Sequence, residues 1–221
     1  MFTRRDSPTI AGTPNKWAVV VEWDEDASLR LYSWLSSVPL VRKAFKVFSQ
    51  LGSTPFWCVV MGALYIPGVV ARFFFPPQFR STALTLMHLG LAAFSAFVTI
   101  QVVVLPVKYS VKRQRPFQRH EGVTMGDFSL QIRTWSFPSG HCVMWVAVGG
   151  VLSLALNSGA LMFLVISLLP VIAISRVALG VHYVLDVVAG VAFGFVCFGL
   201  AVLLLPYYFS FYYWVFSLVP I

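Results

Sequence analysis

The run ALMFLVISLLPVIAISRVALGVHYVLDVVAGVAFGFVCFGLAVLLLP, residues 160–206, determines the fold class of this chain. It carries two charged side chains, Arg176 and Asp186, and is otherwise almost continuously apolar. The apolar stretches on either side of Gly180 each reach the length of about 20 residues that an α-helix needs to cross a bilayer. The run therefore predicts two membrane-spanning helices joined by a short turn.

The same apolar character extends over the rest of the chain. Of its 221 residues, 58% are hydrophobic and 11% are charged, and the mean hydropathy is +0.80, well above that of an ordinary soluble domain. We predict an all-α integral membrane bundle of about five transmembrane helices, without a large soluble domain. The predicted spans are 55–75, 82–106, 139–157, 160–179 and 183–206.

The residues before the first span follow a different pattern. Residues 1–16 lack periodicity and predict a mobile tail. The acidic stretch 22–26 predicts a helix with acids at its start, for which the sequence indicates no role. Residues 40–51 predict an amphipathic helix that lies in the membrane interface and ends at Gly52. Its apolar face consists of Leu40, Val41, Ala44, Phe45, Phe48 and Leu51, and its polar face of Arg42, Lys43, Lys46, Ser49 and Gln50.

These patterns divide the chain into three parts. Residues 1–52 form the tail and the interfacial helices, and residues 53–206 form the membrane domain. Residues 207–221 form an aromatic tail, which is either an interfacial anchor or an extension of the last span. The first apolar run is too short for a signal peptide, so we expect the first span to direct membrane insertion.

The net charge of +8 does not indicate nucleic acid as a partner, because the basic residues flank apolar spans. Membrane orientation and anionic headgroups account for basic residues in such places. The cysteines Cys58, Cys142 and Cys197 all lie inside apolar runs, which supports neither a disulfide framework nor a zinc site.

Ionisable residues at membrane depth are the first candidates for a functional site. After Arg133 the chain contains two charged residues, Arg176 and Asp186, and two histidines, His141 and His182. His182 and Asp186 are four residues apart, so a helix starting near Gly180 would place them on one face, where the carboxylate can orient the imidazole. Gly190 and Gly194 continue that face and allow a second helix to pack closely.

The order of the spans predicts that several polar segments converge. With five spans, the loops 107–138 and 180–182 lie on the same side of the membrane as the N-terminus. This places Lys108, Arg115, Arg176 and both histidines together with a helix N-terminus whose amides can bind oxygen atoms. Phosphate is the anion that such a set fits best, since arginine forks bind its oxygens bidentately. The site does not require a metal.

The residues in question resemble the three-part signature of the type 2 phosphatidic acid phosphatase superfamily. The signature is Lys108, six residues and Arg115-Pro116; then Pro138-Ser139-Gly140-His141; then Ser175-Arg176, five residues, His182, three residues and Asp186. All eleven fixed positions are present in this order, over residues 108–186. The placement of the helices extends the likeness to about residues 50–206.

The resemblance implies a phosphatase that uses neither a metal nor another cofactor. His182 would attack phosphorus and become transiently phosphorylated, Asp186 would orient it, and His141 would protonate the departing oxygen. Water would then cleave the phosphohistidine. The residues implied to hold the phosphoryl oxygens are Lys108, Arg115, Ser139, Gly140 and Arg176.

The resemblance also indicates a substrate class. The five predicted spans depart from the six-span form common in lipid phosphate phosphatases and look more like the small membrane phosphatases that act on polyisoprenoid diphosphates, including presqualene diphosphate. Phosphatidate and lysophosphatidate remain alternatives, as do a headgroup transferase of the sphingolipid synthase type and a non-catalytic lipid-binding protein. The expected partners are the lipid substrate and membrane lipids, and the sequence makes no prediction of the oligomeric state.

The distribution of basic residues predicts the orientation of the protein. Fourteen Lys and Arg residues lie on the side of the N-terminus, and two, Arg72 and Arg80, lie on the other. The positive-inside rule then places the site at the cytosolic face, in the endoplasmic reticulum of a eukaryote or the inner membrane of a bacterium. Outside the signature, Lys112, Arg113 and Arg119 are expected to form a solvated basic flank, and His120 to be solvated.

Overall fold

The computed structural model describes residues 16–126 and 135–217, and within these ranges the chain is helical and contains no β-strand. The predicted mobile tail therefore lies outside the described residues except for residue 16. A short 3₁₀ turn, Pro77–Phe79, links two of the helices. The α-helices are α1 (Lys16–Ser36), α2 (Pro39–Leu51), α3 (Thr54–Phe74), α4 (Arg80–Val111), α5 (Pro116–Arg119), α6 (Gly140–Ala155), α7 (Gly159–Ala178) and α8 (Val184–Ser217).

The bundle consists of five apolar helices at the predicted positions, which confirms the predicted fold class. Four of them, α3, α4, α7 and α8, are long and apolar enough to cross a membrane. The fifth, α6, has 16 residues, fewer than the about 20 of a full span. It forms the centre of the bundle and contacts α3, α4, α7 and α8. Every residue of α6 from Cys142 to Ser153 is buried, so this helix is shielded from lipid by its neighbours.

Glycine allows α8 to approach α6 closely. A Cβ atom added to Gly190 would lie 2.7 Å from the carbonyl oxygen of Ser139, and one added to Gly194 would lie 2.7 Å from the Cβ of Val146. The predicted close packing along this face is therefore confirmed, and it holds the N-terminal ends of α6 and α8 against each other.

A tight hairpin joins α6 to α7, in the short interval between the predicted spans 139–157 and 160–179. Asn157 has a positive φ of 47°, which its short polar side chain tolerates, and the Oγ of Ser158 accepts a hydrogen bond of 3.2 Å from the amide of Leu161. The hairpin returns the chain across the bundle. As a result, the end of α7 with Arg176 lies at the same end of the molecule as the start of α6 with His141.

The aromatic tail continues α8 as far as Ser217, which agrees with the second of the two predicted alternatives. Its tyrosines hydrogen-bond to other helices: Tyr208 Oη lies 3.3 Å from Thr99 Oγ1, and Tyr212 Oη lies 2.9 Å from Tyr65 Oη. Tyr213 contacts His88 in the same way. These contacts attach the extended end of α8 to α3 and α4.

The two N-terminal helices differ from their predicted forms in one respect each. Helix α1 begins at Lys16, so the acidic residues 22–26 lie in its second and third turns and not at its start. Helix α2 has the predicted bounds within one residue, but Ser49 on its polar face is completely buried. The difference in α2 arises because Ser49 packs against Arg176 at the end of the bundle instead of facing water.

Candidate active site

Three segments that are distant in sequence meet at one end of the bundle. They are the end of α4 with the loop after it, the turn before α6 with the start of that helix, and the connection between α7 and α8 with the helix ends on either side. Hydrogen bonds join them, from Lys108 Nζ to the Pro138 carbonyl (2.7 Å) and from the Ser139 amide to the Asp186 carbonyl (2.8 Å). The predicted convergence of the polar loops is therefore observed. The segments contain all eight predicted site residues, which are Lys108, Arg115, Ser139, Gly140, His141, Arg176, His182 and Asp186.

His182 lies in the connection before α8 and not on the helix, because α8 begins two residues later, at Val184. The turn is made by Gly180, whose φ of +69° favours glycine, and the amide of His182 donates to the Arg176 carbonyl at 3.2 Å. The prediction of a shared helical face is thus wrong. The pair nevertheless meets, with His182 Nδ1 at 3.5 Å from Asp186 Oδ2.

The other ring nitrogen of His182 faces Arg115. Arg115 Nη1 lies 3.1 Å from His182 Nε2 and also donates to the Val181 carbonyl at 2.9 Å. A guanidinium has donors and no acceptor, so Nε2 must accept. The proton of the neutral imidazole is therefore on Nδ1, facing Asp186, and the lone pair is on Nε2.

The surroundings keep this imidazole neutral. His182 is 2% exposed, and burial lowers its pKa well below the ordinary value of 6.5. The positive charges of Arg115, Arg176 and Lys108 lower the pKa of His182 further, since a second cation nearby disfavours protonation. A neutral imidazole with its lone pair on Nε2 is the nucleophilic form.

Lys108 positions the turn before α6. Its ammonium group is buried near the end of α4 and donates to two carbonyls, those of Pro138 (2.7 Å) and Trp135 (3.1 Å). Arg115 Nη2 donates to the Trp135 carbonyl as well, at 3.2 Å. Two cations thus hold the backbone that leads into Ser139.

The N-terminus of α6 borders open space. A Cβ atom added to Gly140 would meet no atom within 4 Å, and the amides of the first helical turn have no intrahelical carbonyl to bind. Two buried side-chain atoms here have no hydrogen-bond partner, Ser139 Oγ and His141 Nε2. Buried polar groups are normally satisfied, so these two atoms are candidates for contact with a polar ligand.

Arg176 is completely buried and is oriented by α2. Its Nη1 donates to the Oγ of Ser49, which the sequence places on the polar face of α2 without indicating a partner. The turn after α2 also covers the site: a Cβ atom added to Gly52 would lie 2.9 Å from the Cβ of His141. Helix α2 therefore forms part of the site wall.

Arg113 is the largest omission of the sequence analysis. It was expected in a solvated flank, yet its side chain is 16% exposed and makes two ion pairs, with Asp186 Oδ1 at 2.9 Å and with Asp24 Oδ2 at 2.6 Å. His120 was also expected in solvent, but it is 2% exposed and its Nε2 lies 3.7 Å from Glu25 Oε2. Both errors share one cause, which is the acidic face of α1 covering this loop.

The geometry combines a buried imidazole with hydrogen-bond donors that are suited to an anion. His182 presents the lone pair of Nε2 toward Arg115, and the start of α6 lies nearby with unpaired donors. Among residues 16–126 and 135–217, no three His, Cys, Asp or Glu side chains cluster where they could hold a metal ion. Such a set can bind a phosphoryl group and transfer it to an imidazole nitrogen.

Comparison with known proteins gives one family and a small set of relatives. The model of the PAP2 superfamily matches residues 84–210. Two curated relatives, each named decaprenylphosphoryl-5-phosphoribose phosphatase and from two strains of Mycobacterium tuberculosis, are 38% identical over 104 residues. The matched part is 47% of this chain and 53% of each relative, so the chain spans about half the length of the curated relatives it matches.

Two solved structures share the fold. The transmembrane PAP2 type phosphatidylglycerolphosphate phosphatase from Bacillus subtilis matches with a TM-score of 0.63 and 21% identity, covering 83% of this chain and 84% of its own. LpxE from Aquifex aeolicus matches with a TM-score of 0.54 and 24% identity, covering 79% of this chain and 93% of its own. At these identities the likeness concerns the membrane helical fold.

Proposed function

Since the chain belongs to the PAP2 superfamily, we propose that it is a metal-independent membrane phosphatase that removes phosphate from a lipid phosphate through a phosphohistidine intermediate. The observation that carries the proposal is the position of His182, whose Nδ1 faces Asp186 at 3.5 Å and whose Nε2 faces Arg115 at 3.1 Å. This arrangement leaves one nitrogen as the nucleophile and fixes the proton on the other.

In the first step His182 Nε2 attacks phosphorus, and the bond from phosphorus to the leaving oxygen breaks. A bound phosphoryl group would take the Arg115 donor that now faces Nε2, which frees the lone pair. His141 gives a proton to the leaving oxygen. Asp186 stabilises the positive charge that develops on the imidazole, since its carboxylate faces Nδ1.

In the second step water cleaves the phosphohistidine. His141, which lost its proton in the first step, takes a proton from the attacking water, and inorganic phosphate leaves while the lone pair returns to His182 Nε2. The groups that stabilise the phosphoryl charge in both steps are Lys108, Arg115, Arg176, the Ser139 hydroxyl and the amides from Gly140 onward.

The substrate class in this proposal is a phosphate or diphosphate linked to a polyisoprenoid. A curated relative is named for a decaprenylphosphoryl sugar phosphate, which supports this class over a diacylglycerol phosphate. The site lies at the end of an apolar bundle, so the charged headgroup can meet the basic segments while the isoprenoid tail stays in the bilayer.

The experiment is phosphate release by detergent-purified full-length protein in EDTA, from a polyisoprenoid diphosphate, a polyisoprenoid-linked sugar phosphate and phosphatidate in parallel. We expect release from the isoprenoid substrates and a loss of at least about 10³-fold in His182→Ala. His88→Gln is the matched control, because His88 is hydrogen-bonded to Tyr213 and lies about 30 Å from Lys108 along α4.

Each other outcome has a definite meaning. Faster phosphate release from phosphatidate than from the isoprenoid substrates overturns the proposed substrate class but does not affect the proposed mechanism. Loss of activity in EDTA overturns the metal-independent mechanism. Absence of release from all three lipids overturns the phosphatase proposal, and the headgroup transferase would then be tested by adding a lipid acceptor.

The proposal also includes an orientation. We place the site at the cytosolic face, since fourteen of the 16 Lys and Arg residues belong to the N-terminal side of the predicted topology. The apolar residues Leu40 and Val47 of α2 are exposed on the outside of the protein, which fits a helix lying in the membrane interface.

A further inference from the structure

Helix α1 lies outside the residues that the family model matches, yet one of its faces is buried against the candidate site. Asp24, Ser28 and Tyr32 are spaced four residues apart and are all buried, although two of them are strongly polar. A carboxylate that is completely buried is costly unless it is paired and hydrogen-bonded, so its partners indicate its purpose.

The first set of partners is the N-terminus of α8. The amide of Leu185 donates to Asp24 Oδ1 at 2.9 Å, and the amide of Val184 donates to Ser28 Oγ at 2.9 Å. These are amides of the first turn, which have no carbonyl within their own helix. Helix α8 is therefore capped by another helix, and α1 fixes the position from which Asp186 projects.

The second partner is Arg113, which connects the two buried carboxylates. Its Nη2 binds Asp24 Oδ2 at 2.6 Å, and its Nη1 binds Asp186 Oδ1 at 2.9 Å. The guanidinium also stacks over the Tyr183 ring at 3.9 Å, next to His182 in the chain. A planar guanidinium held at three points has little freedom to rotate.

Both oxygens of Asp186 are fixed as a result. Oδ1 accepts from Arg113, and Oδ2 accepts from the Tyr183 amide at 3.0 Å while facing His182 Nδ1 at 3.5 Å. The direction of the carboxylate toward the imidazole thus depends on Arg113, and the place of Arg113 depends on Asp24.

We propose that Asp24 and Arg113 are positioning residues of the phosphatase, with Asp24 acting through Arg113 to hold Asp186 against Nδ1 of His182. The inference rests on the proposed function, in which His182 is the nucleophile. A displacement of about 1 Å at a reacting group can reduce the rate about 100-fold, so a carboxylate fixed by a second layer of contacts accelerates the chemical step. The N-terminal helix is then part of the catalytic apparatus.

The test uses Asp24→Asn and Arg113→Gln in the full-length protein. Asparagine keeps an oxygen that can accept from the Leu185 amide and removes the charge that holds Arg113. We expect kcat for phosphate release from the preferred lipid to fall about 10–100-fold in each variant, while KM changes less than about threefold. Asp26→Asn on the exposed side of α1 and Lys112→Gln beside Arg113 are the matched controls.

The double variant Asp24→Asn/Arg113→Gln separates positioning from simple structural support. If Asp24 acts through Arg113, adding Asp24→Asn to the Arg113→Gln variant should lower kcat by less than about twofold relative to Arg113→Gln alone. A helix cap without a positioning role would lower the unfolding temperature equally in both backgrounds and leave kcat unchanged. The inference would be overturned if the fold-losses of kcat in the two single variants multiplied in the double variant. It would also be overturned if the single variants had the same kcat as the controls.

Two further outcomes are distinguished. If Arg113→Gln does not fold, Arg113→Lys replaces it; one ammonium cannot bridge both carboxylates in the same plane, so we expect a smaller loss of kcat, and wild-type kcat would overturn the inference. A wild-type protein that releases no phosphate overturns the proposed function and this inference together. A wild-type protein that depends on His182 but not on Asp24 or Arg113 overturns the inference alone.

Discussion

His182 can act as a nucleophile only while Nε2 keeps its lone pair, and at the scale of single residues this is what the surrounding charges control. Arg115 faces Nε2, and Asp186 faces Nδ1. Burial and the neighbouring cations disfavour a second proton on the ring. The cations that bind a phosphate in the proposed mechanism therefore also keep its acceptor neutral before the substrate arrives.

This arrangement predicts a pH dependence. The lowered pKa keeps folded His182 neutral as the pH falls through 6.5, so the acid limb of kcat/KM due to this group lies below pH 6.5. Arg115→Gln removes a positive charge and should move that limb upward. The substrate titrates identically in both assays, so the difference between the two profiles isolates the histidine. Coincident acid limbs would refute this account.

The same shift predicts the effect of pH on stability. Below about pH 6.5 the unfolded chain binds a proton at His182 that the folded chain does not bind, so acid favours unfolding. The contribution of His182 to stability is thus constant above pH 6.5 and declines as the pH falls. Thermal unfolding of the wild type and of His182→Gln should show that lowering the pH from 7 to 5 reduces the unfolding temperature less in the variant. Equal reductions would contradict the predicted direction of the pH effect.

The role proposed for His141 is that of the general acid, and its importance should depend on the leaving group. If it protonates the departing oxygen, His141→Gln should lower kcat about 10²–10⁴-fold for an alkyl or isoprenyl phosphate. The nitrophenolate leaving group of a nitrophenyl phosphate needs little protonation, so the fold-loss of kcat with this substrate should be at least about tenfold smaller. Phosphate release from both substrates by the same preparations measures this, and equal losses would exclude His141 as the general acid.

The signature made the eight predicted residues recognisable because its spacing is local and its residue types are rare at membrane depth. Arg113 and Asp24 gave no such signal, since they pair across 89 positions of sequence. A hint was present in the four-residue spacing of Asp24 and Ser28, but spacing does not reveal which helix a polar face covers. Long-range partners of this kind require the fold itself.

At the scale of elements, the contact between α6 and α8 sets the distance between the two halves of the site. The Ser139 amide donates to the Asp186 carbonyl at 2.8 Å, directly beside the position where Gly190 passes the Ser139 carbonyl. An atom added at this crossing would push the start of α6 away from the start of α8. The amides of α6 that bind the anion in the proposed mechanism would then lie farther from His182.

Gly190→Ala tests this crossing. The added Cβ would lie 2.7 Å from a backbone oxygen that cannot move alone, so we expect a loss of about 1–3 kcal/mol in unfolding free energy and a reduced kcat. Gly199→Ala on the same helix is the control, because its Cβ would meet no atom within 4 Å. Thermal unfolding and phosphate release report the two effects. If Gly190→Ala and Gly199→Ala had the same unfolding temperature and the same kcat, the close approach of α8 to α6 at Gly190 would contribute to neither stability nor activity.

The elements themselves were largely predictable, because apolar length alone locates a membrane helix. The five spans and α2 were predicted close to their observed positions, and α8 starts at Val184, one residue from the predicted 183. The sequence left open whether α8 continues into the aromatic tail, as it does to Ser217. Helix α8 begins at Val184 because Asp24 and Ser28 cap it there. Its aromatic end is held by hydrogen bonds to α3 and α4, and hydropathy contains no information on either contact.

At the scale of the whole molecule, the N-terminal helices and the membrane bundle form one unit. Helix α1 contacts α7 and α8, and α2 contacts α3, α6 and α7, so both enclose the end of the bundle that holds the site. Residues 1–52 differ in composition from residues 53–206, and the sequence therefore predicts two separate parts. Composition indicates whether a segment faces lipid or water. The buried polar contacts of Asp24 and Ser49 determine which segments pack against the site.

The charge distribution of the whole molecule predicts its orientation. Lys108, Arg113, Arg115 and Arg176 are used by the site, and without them ten basic residues still lie on the site side of the predicted topology against two on the other. In sealed vesicles with the cytosolic side outward and a cysteine-free background, Lys43→Cys should react with an impermeant maleimide. Gln78→Cys, at the opposite end of α3, should react only after detergent is added. The reverse pattern would place the site on the outer face, and labelling of both positions without detergent would show that α3 does not cross the membrane.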